Sequence, residues 1–439
     1  MQRLVIKRSQ GLSGTIQVPG DKSITHRVVI LGAIAEGKTA VYNYLPAEDC
    51  LATIQTFRAM GIEISEKKNG PLIIRGKGLW GLKEPDDVLN LGNAGTALRL
   101  LTGLLAGQRF FSVLTGDASL RNRPMRRLLE PLKRMGAEVQ GRDEGEHAPI
   151  AIRGRELHGI NYSLPVASAQ LKSALLLAGL IARGKTTITE PVLSRDHTER
   201  LLDYLGVPLS MKGLSVSVEG RTEFKSKEIH IPGDFSSAAF LIVAALICPN
   251  SELVIENVGL NPTRTGLIEV LIKMGGRIEI RNQREQCGEP VADLVIRSGP
   301  LSGLTVEGDI IPRMIDELPI LCIAAAVANG ETVIRDAREL RIKETDRIAA
   351  MTRELRRMGV QIEELPDGMR IMGGRPLSAA VCKSSGDHRI AMAMGIAGLA
   401  AKGKTVVEDT ACIATSFPGF EKTVQRVCGS HVASRTSRV

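Results

Sequence analysis

Aromatic side chains are scarce: Phe, Trp and Tyr make up 3% of the 439 residues. The interior must therefore be built from Leu, Ile, Val, Ala and Met, which suits helices packed on sheets. The scarcity also removes the stacking platform that single-stranded nucleic acids require. Cysteine is equally uninformative as a framework. The seven are odd in number and no two lie within a C-x-x-C, which argues against a disulfide scaffold and a zinc site and suits a reducing compartment. The histidines show no ligand spacing, so no metal is expected. No apolar run reaches membrane length. The polar start, Met1 to Gly11, has no apolar leader core. A cytoplasmic protein is the expectation.

What is present is positive charge. Lys plus Arg number 57 against 48 Asp plus Glu, a formal balance of +9. Such a balance favours anionic partners, either nucleic acid or small phosphorylated and carboxylated metabolites. The basic residues are dispersed rather than gathered in runs, which favours the metabolites. At this length the chain exceeds one ordinary core, so two or more domains are expected.

A phrase recurs along the whole chain: a Gly or polar turn, a short β-branched strand, a polar loop, then a helix closing on Met-Gly or Leu-Gly. Its copies begin at Gly37, Gly107, Gly184, Ser251, Gly330 and Gly403, spaced 70, 77, 67, 79 and 73 residues apart. Each is preceded by an Ala/Leu-rich segment that is apolar nearly all round, the pattern of a buried helix. Six such units predict an α/β (α+β) protein, with three units on each side of Ile231-Pro232-Gly233-Asp234. A matching Val18-Pro19-Gly20-Asp21 lies near the start. The expected division is therefore 1–20 with 233–428 as one lobe, 21–232 as the other, and 429–439 as a frayed tail.

The polar clusters lie at the N-terminal ends of the buried helices: Asp21-Lys22-Ser23, Asn93-Ala94-Gly95-Thr96, Ser168-Ala169-Gln170, Asp234, Asp316-Glu317 and Asp387-His388-Arg389. Ser, Asp, Asn and Thr are favoured there as caps. Capping does not call for Lys22, Arg27 or Arg389 beside them. Exposed N–H groups and the positive end of the helix dipole favour anions at such a place. Three matches to GxxxxGK[ST], from Gly32, Gly179 and Gly398, lack the strand–loop–helix order of a P-loop: each GKT leads into a strand. Gly76 to Gly81 matches GxGxxG and reads as a turn, with Lys83-Glu84-Pro85 after it instead of a helix.

Seven motifs then stand in order: PGDKSITHR (Pro19 to Arg27), LGNAGTALR (Leu91 to Arg99), RNRPM (Arg121 to Met125), ASAQLKSALLLAG (Ala167 to Gly179), SRDHTE (Ser194 to Glu199), KETDR (Lys343 to Arg347) and GDHRIAM (Gly386 to Met392). On these the chain resembles the 5-enolpyruvylshikimate-3-phosphate synthase family over nearly its full length, in the branch often called class II. The resemblance implies two lobes of three βαβαββ units that close on substrate, with no cofactor. It implies transfer of the enolpyruvyl group of phosphoenolpyruvate to the 5-hydroxyl of shikimate 3-phosphate, by addition and elimination of phosphate, in aromatic amino-acid biosynthesis. It implies glyphosate as an inhibitor in the phosphoenolpyruvate site, and a monomer without nucleic-acid or membrane partners.

By the same resemblance Lys22, Ser23, Arg27, Ser168, Ala169, Gln170, Arg195, Asp316 and Lys343 hold shikimate 3-phosphate. Lys22, Gly95, Arg123, Gln170, Arg347 and Arg389 hold phosphoenolpyruvate. Asp316, helped by Lys343, is the implied general base for the 5-hydroxyl, and Glu344 with Lys22 the implied proton donor to the methylene carbon. Ligands carrying a phosphate and a carboxylate each call for several Arg and Lys in one place. One departure stands out: Thr415 occupies the place where some members carry a lysine that contacts phosphoenolpyruvate. The alternative within the fold is the enolpyruvyl transferase acting on UDP-N-acetylglucosamine, which typically uses a loop cysteine that Thr115 to Arg123 lacks. A non-catalytic anion- or RNA-binding repeat protein would leave Asp316 and Glu344 without a role.

Overall fold

The computed structural model describes residues 2–66, 70–429 and 433–437. The chain forms two units. Unit 1 comprises Met1–Pro19, Pro232–Arg284 and Pro290–Val439; unit 2 comprises Gly20–Ile231 with Glu285–Glu289.

The segments that are apolar all round are buried helices. Unit 2 holds α1 (Lys22–Ile34), α2 (Gly95–Ala106) and α3 (Ala169–Ile181). Unit 1 holds α4 (Phe235–Ile247), α5 (Leu318–Val327) and α6 (His388–Ala400). In α1 every residue from Ile24 to Ile34 is buried. A helix with no solvated face must be wrapped on all sides, and here the wrapping is by sheets and by its sister helices. Helices α2 and α3 approach closely because Gly103 has no side chain, so its backbone lies against that of Ala174.

Among the described residues, six four-stranded sheets do the wrapping, three per unit, and each contains one parallel pair. In unit 2, Glu36–Tyr42 pairs antiparallel with Leu72–Lys77 and parallel with Ile229–His230, so the last strand of the unit closes on its first. In unit 1, Gln2–Lys7 pairs antiparallel with Lys404–Glu408, and Ser13–Gln17 parallel with Glu252–Gly259. The six βαβαββ repeats and three buried helices per unit are thus as the sequence predicts. Each GKT sequence runs into a strand, Glu36–Tyr42, Lys185–Thr189 or Lys404–Glu408. The glycines Gly37, Gly184 and Gly403 there take positive φ, the turn role that glycine serves.

The tail differs from the expectation. The backbone of Ala433–Ser437 pairs antiparallel with Gln2–Lys7, Gln2 opposite Ser437. An edge strand offers unpaired N–H and C=O groups, and a short segment following on can satisfy them. The rest of the expected tail, 430–432 and 438–439, lies outside the described residues.

Candidate active site

In unit 2 the cap residues set where the helices begin. The Asp21 carboxylate accepts the Ile24 N–H at 2.9 Å, and the Ser168 hydroxyl accepts the Leu171 N–H at 3.4 Å. Lys22 and Ser23, half-buried, form the first turn of α1. Lys22 pairs with the buried Asp49, which the sequence reading missed. Arg27 is buried, one turn further on. Its Nε donates to Thr198 Oγ1 at 2.7 Å, Nη2 to Ser173 Oγ at 2.9 Å and Nη1 to the Ser23 carbonyl at 3.0 Å. His26, between these cations, is fully buried, with Nδ1 2.8 Å from Thr53 Oγ1. Burial first, then Lys22 and Arg27, push its pKa down to about 3, so the ring is neutral.

A second group in unit 2 joins α2 to α3. Gln170 Oε1 accepts from Arg99 at 2.9 Å, and Gln170 Nε2 donates to Thr96 at 3.0 Å. Arg123 donates to Asn93 Oδ1 at 2.6 Å. A methyl on Gly95 would lie 2.7 Å from Arg123 Nη1 and 3.2 Å from Arg99 Nη1. Gly95 therefore admits two guanidinium groups to the start of α2. Ala169 is the first residue of α3. Arg195 is half-buried in the loop ahead of the helix His197–Tyr204.

Unit 1 gathers the carboxylates. Arg347, 1% exposed, lies among three of them. Its Nε donates to Asp387 Oδ2 at 2.8 Å, Nη2 to Glu344 Oε2 at 2.6 Å and Nη1 to Asp316 Oδ1 at 3.3 Å. Burial opposes its charge, and Asp387, Glu344 and Asp316 outweigh that, holding its pKa well above the ordinary value. Arg389 donates to the Asp316 carbonyl at 2.9 Å and has Nη2 3.6 Å from the Asp316 carboxylate. Asp387 caps α6, accepting the Arg389 N–H at 2.8 Å. Lys343 forms no ion pair among the described residues. Burial lowers its pKa from the ordinary lysine value, against the pull of Asp316 and with the push of Arg347. A lysine so held loses its proton more readily than one in water.

Asp316, Lys343, Glu344, Arg347 and Arg389 thus meet in unit 1, and the other named residues lie at the helix starts and loops of unit 2. The reading missed Asp49 and Arg99, and named Asp387 only in the polar cluster at a helix start. Arg99 and Asp387 stand inside quoted motifs; Asp49 carries no signal of its own. Thr415 ends a 3-10 turn, Thr410–Thr415, and its hydroxyl donates to the Cys412 carbonyl at 2.7 Å. It supplies no cation.

The fold is that of the enolpyruvyl transferases. The crystal structure of the enolpyruvyl transferase NikO from Streptomyces tendae superposes with a TM-score of 0.79, covering 100% of this chain and 99% of that one, at 17% identity, a likeness of fold alone. An EPSP synthase structure from Acinetobacter baumannii superposes at 0.89 with 44% identity, covering both chains fully. The profile of the family described as EPSP synthase (3-phosphoshikimate 1-carboxyvinyltransferase) matches residues 6–424. A 3-phosphoshikimate 1-carboxyvinyltransferase of Geotalea uraniireducens (strain Rf4) is 57% identical over 427 residues, 97% of this chain and 99% of that protein. One from Geobacter metallireducens is 56% identical over the same length, with the same shares covered. The chain belongs to the EPSP synthase family and is a transferase.

Proposed function

We propose that the chain transfers the enolpyruvyl group of phosphoenolpyruvate to the 5-hydroxyl of shikimate 3-phosphate, and that its two polar clusters divide the work. In unit 2, Lys22, Ser23, Arg27, Ser168, Ala169, Gln170 and Arg195 bind shikimate 3-phosphate. Lys22, Gly95, Gln170 and Arg123 bind phosphoenolpyruvate there. In unit 1, Arg347 and Arg389 grip phosphoenolpyruvate, while Asp316 and Lys343 take the substrate hydroxyl. Metal and cofactor have no part in this reading. The protein acts as a cytoplasmic monomer on small anions; no helix among the described residues is long and apolar enough to cross a membrane.

In the addition, Asp316, assisted by Lys343, accepts the proton of the 5-hydroxyl as its oxygen bonds to C2 of phosphoenolpyruvate. The methylene carbon C3 takes a proton from Glu344, with Lys22 assisting, and becomes a methyl group. In the elimination, Glu344 takes a proton back from that methyl, the double bond re-forms, and the C2–O bond to phosphate breaks. The departing phosphate stays neutralised by the surrounding cations. Acid and base need environments that set their pKa values apart. The observation that carries this reading is the meeting of Asp316 and Glu344 on Arg347. Both carboxylates share the Arg347 guanidinium, for which a ligand anion would compete.

The test is phosphate release from phosphoenolpyruvate with shikimate 3-phosphate, run beside UDP-N-acetylglucosamine. Release with the first acceptor alone is expected. Release with the second alone would reassign the substrate. No release with either, together with salt-dependent binding to random RNA, would favour a non-catalytic protein.

A further inference from the structure

One buried charge cluster in unit 2 has no part in the reaction as proposed. Lys172 lies on α3, three residues past Ala169 and two past Gln170, and is 1% exposed. Its Nζ is 2.6 Å from Glu190 Oε2 and 2.7 Å from Glu199 Oε1, both carboxylates buried. Glu190 follows the strand Lys185–Thr189, and Glu199 lies on the helix His197–Tyr204. The one ammonium therefore ties down both ends of the segment that carries Arg195. Between them the Ser194 hydroxyl donates to Glu190 Oε1, and the Ser194 N–H lies 3.4 Å from Glu190 Oε2. Lys172 Nζ also lies 3.5 Å from the Ser194 carbonyl.

The neighbouring residues extend the link to α1. Thr198 precedes Glu199, and its hydroxyl donates to Ser173 Oγ at 2.7 Å while accepting from Arg27. Ser173 follows Lys172 and accepts from the same guanidinium. Two consecutive residues of α3 thus meet two consecutive residues of the His197–Tyr204 helix. One pair fixes the Arg195 loop and the other fixes Arg27. Burial opposes the charge on Lys172, and the two carboxylates outweigh it, raising its pKa. Burial raises the pKa of Glu199 against the pull of Lys172. Both directions agree with a water-excluded cluster whose single cation is shared.

We infer that Lys172, Glu190 and Glu199 are positioning residues for shikimate 3-phosphate: they hold Arg195 and Arg27 at the separation from the start of α3 that its phosphate requires. The inference rests on the function proposed above. A cluster that only stabilised the unit would have no reason to favour one substrate over the other.

Steady-state kinetics with each substrate varied in turn separates the two roles. Lys172→Met should raise the KM for shikimate 3-phosphate at least tenfold, keep that for phosphoenolpyruvate within twofold and leave kcat within threefold. This variant leaves two carboxylates facing each other in the interior, so Glu190→Gln is the second arm. It keeps one ammonium against one carboxylate and preserves the side-chain shape. It should raise the KM for shikimate 3-phosphate about fivefold, again without moving the other. If Lys172→Met does not fold, Glu190→Gln decides alone. A lower melting temperature with both KM values unchanged, or with both raised alike, overturns the inference. Absence of turnover in the parent protein overturns instead the function on which it rests.

Discussion

Arg27 and Arg123 of unit 2 keep different company from Arg347 and Arg389 of unit 1. In unit 2 the Arg27 guanidinium is held by the hydroxyls of Thr198 and Ser173 and the carbonyl of Ser23, and Arg123 by the Asn93 amide. In unit 1 Arg347 faces three carboxylates, and Arg389 faces Asp316. Neutral acceptors orient a guanidinium while leaving its charge for a ligand. Carboxylates neutralise it, and are themselves groups that can carry protons. On the function proposed above, the same helix-start architecture serves once for binding anions and once for acid–base chemistry. The residue types at the caps, not the fold, make the difference.

The sharpest way to break this contrast is to remove the unit 1 carboxylates. Asp316→Ala and Glu344→Gln should each lower kcat by about a hundredfold or more, the scale of acid–base groups. Glu344→Gln should leave shikimate 3-phosphate binding intact. Calorimetric titration beside turnover measures both, and near-normal turnover in the two variants would remove them from the mechanism. Lys343 offers a finer cut. Lys343→Arg keeps a cation but cannot deprotonate, so kcat should fall by about a hundredfold, the low end of the range for proton-transfer groups. Because the Lys343 pKa is depressed, the neutral amine accumulates as pH rises. The parent's kcat/KM should therefore climb on the alkaline side, and the arginine variant should lack that climb.

In unit 2 the contrast is sharpened at Gly95. A methyl there meets Arg123 Nη1 and Arg99 Nη1. Its φ is not among the positive ones, so alanine strains no backbone. The arginines must shift instead, at about 1–3 kcal/mol for such overpacking. Inhibition by glyphosate, proposed here as a ligand of that site, should weaken tenfold or more in Gly95→Ala, and phosphoenolpyruvate binding less. Equal loss for both, with a lower melting temperature, would take Gly95 out of the site.

The smallest effect is on stability. His26 is neutral when folded, with its pKa lowered to about 3 by burial and by Lys22 and Arg27. The unfolded chain takes up that proton near pH ~6.5 and the folded one only far below. The stabilisation is therefore complete above the unfolded value and is lost as pH falls toward the folded one. The slope is about 1.4 kcal/mol per pH unit inside that window. Denaturant midpoints between pH 6 and 4 should fall less steeply in His26→Gln than in the parent. Parallel slopes would mean that His26 is not buried neutral.

The repeats, the helices and the motifs that carry them were legible because each rests on short-range pattern. An apolar stretch such as Phe235–Ile247 must be buried wherever it goes. Lys343 to Arg347 reads as a charged helix start, and only the fold makes Arg347 a partner of Asp316 and Asp387 as well as of its near neighbour Glu344. Asp49 was invisible: a carboxylate in the first turn of a helix looks like a response to the dipole, and nothing nearby in sequence announces Lys22 as its partner. Lys172 was hidden in a segment that reads as apolar. Its two carboxylates lie 18 and 27 positions further along the chain.

By itself the sequence determined the class of fold, the places where helices begin and the excess of cations that calls for anionic ligands. Periodicity, capping and net charge act within a few residues, or on the whole chain at once. The tertiary structure alone decided which charges meet. Whether an arginine meets hydroxyls, as Arg27 does at Thr198 and Ser173, or carboxylates, as Arg347 does, depends on groups brought from distant segments into a low-dielectric interior. There a partner three ångströms away outweighs everything that local sequence can express.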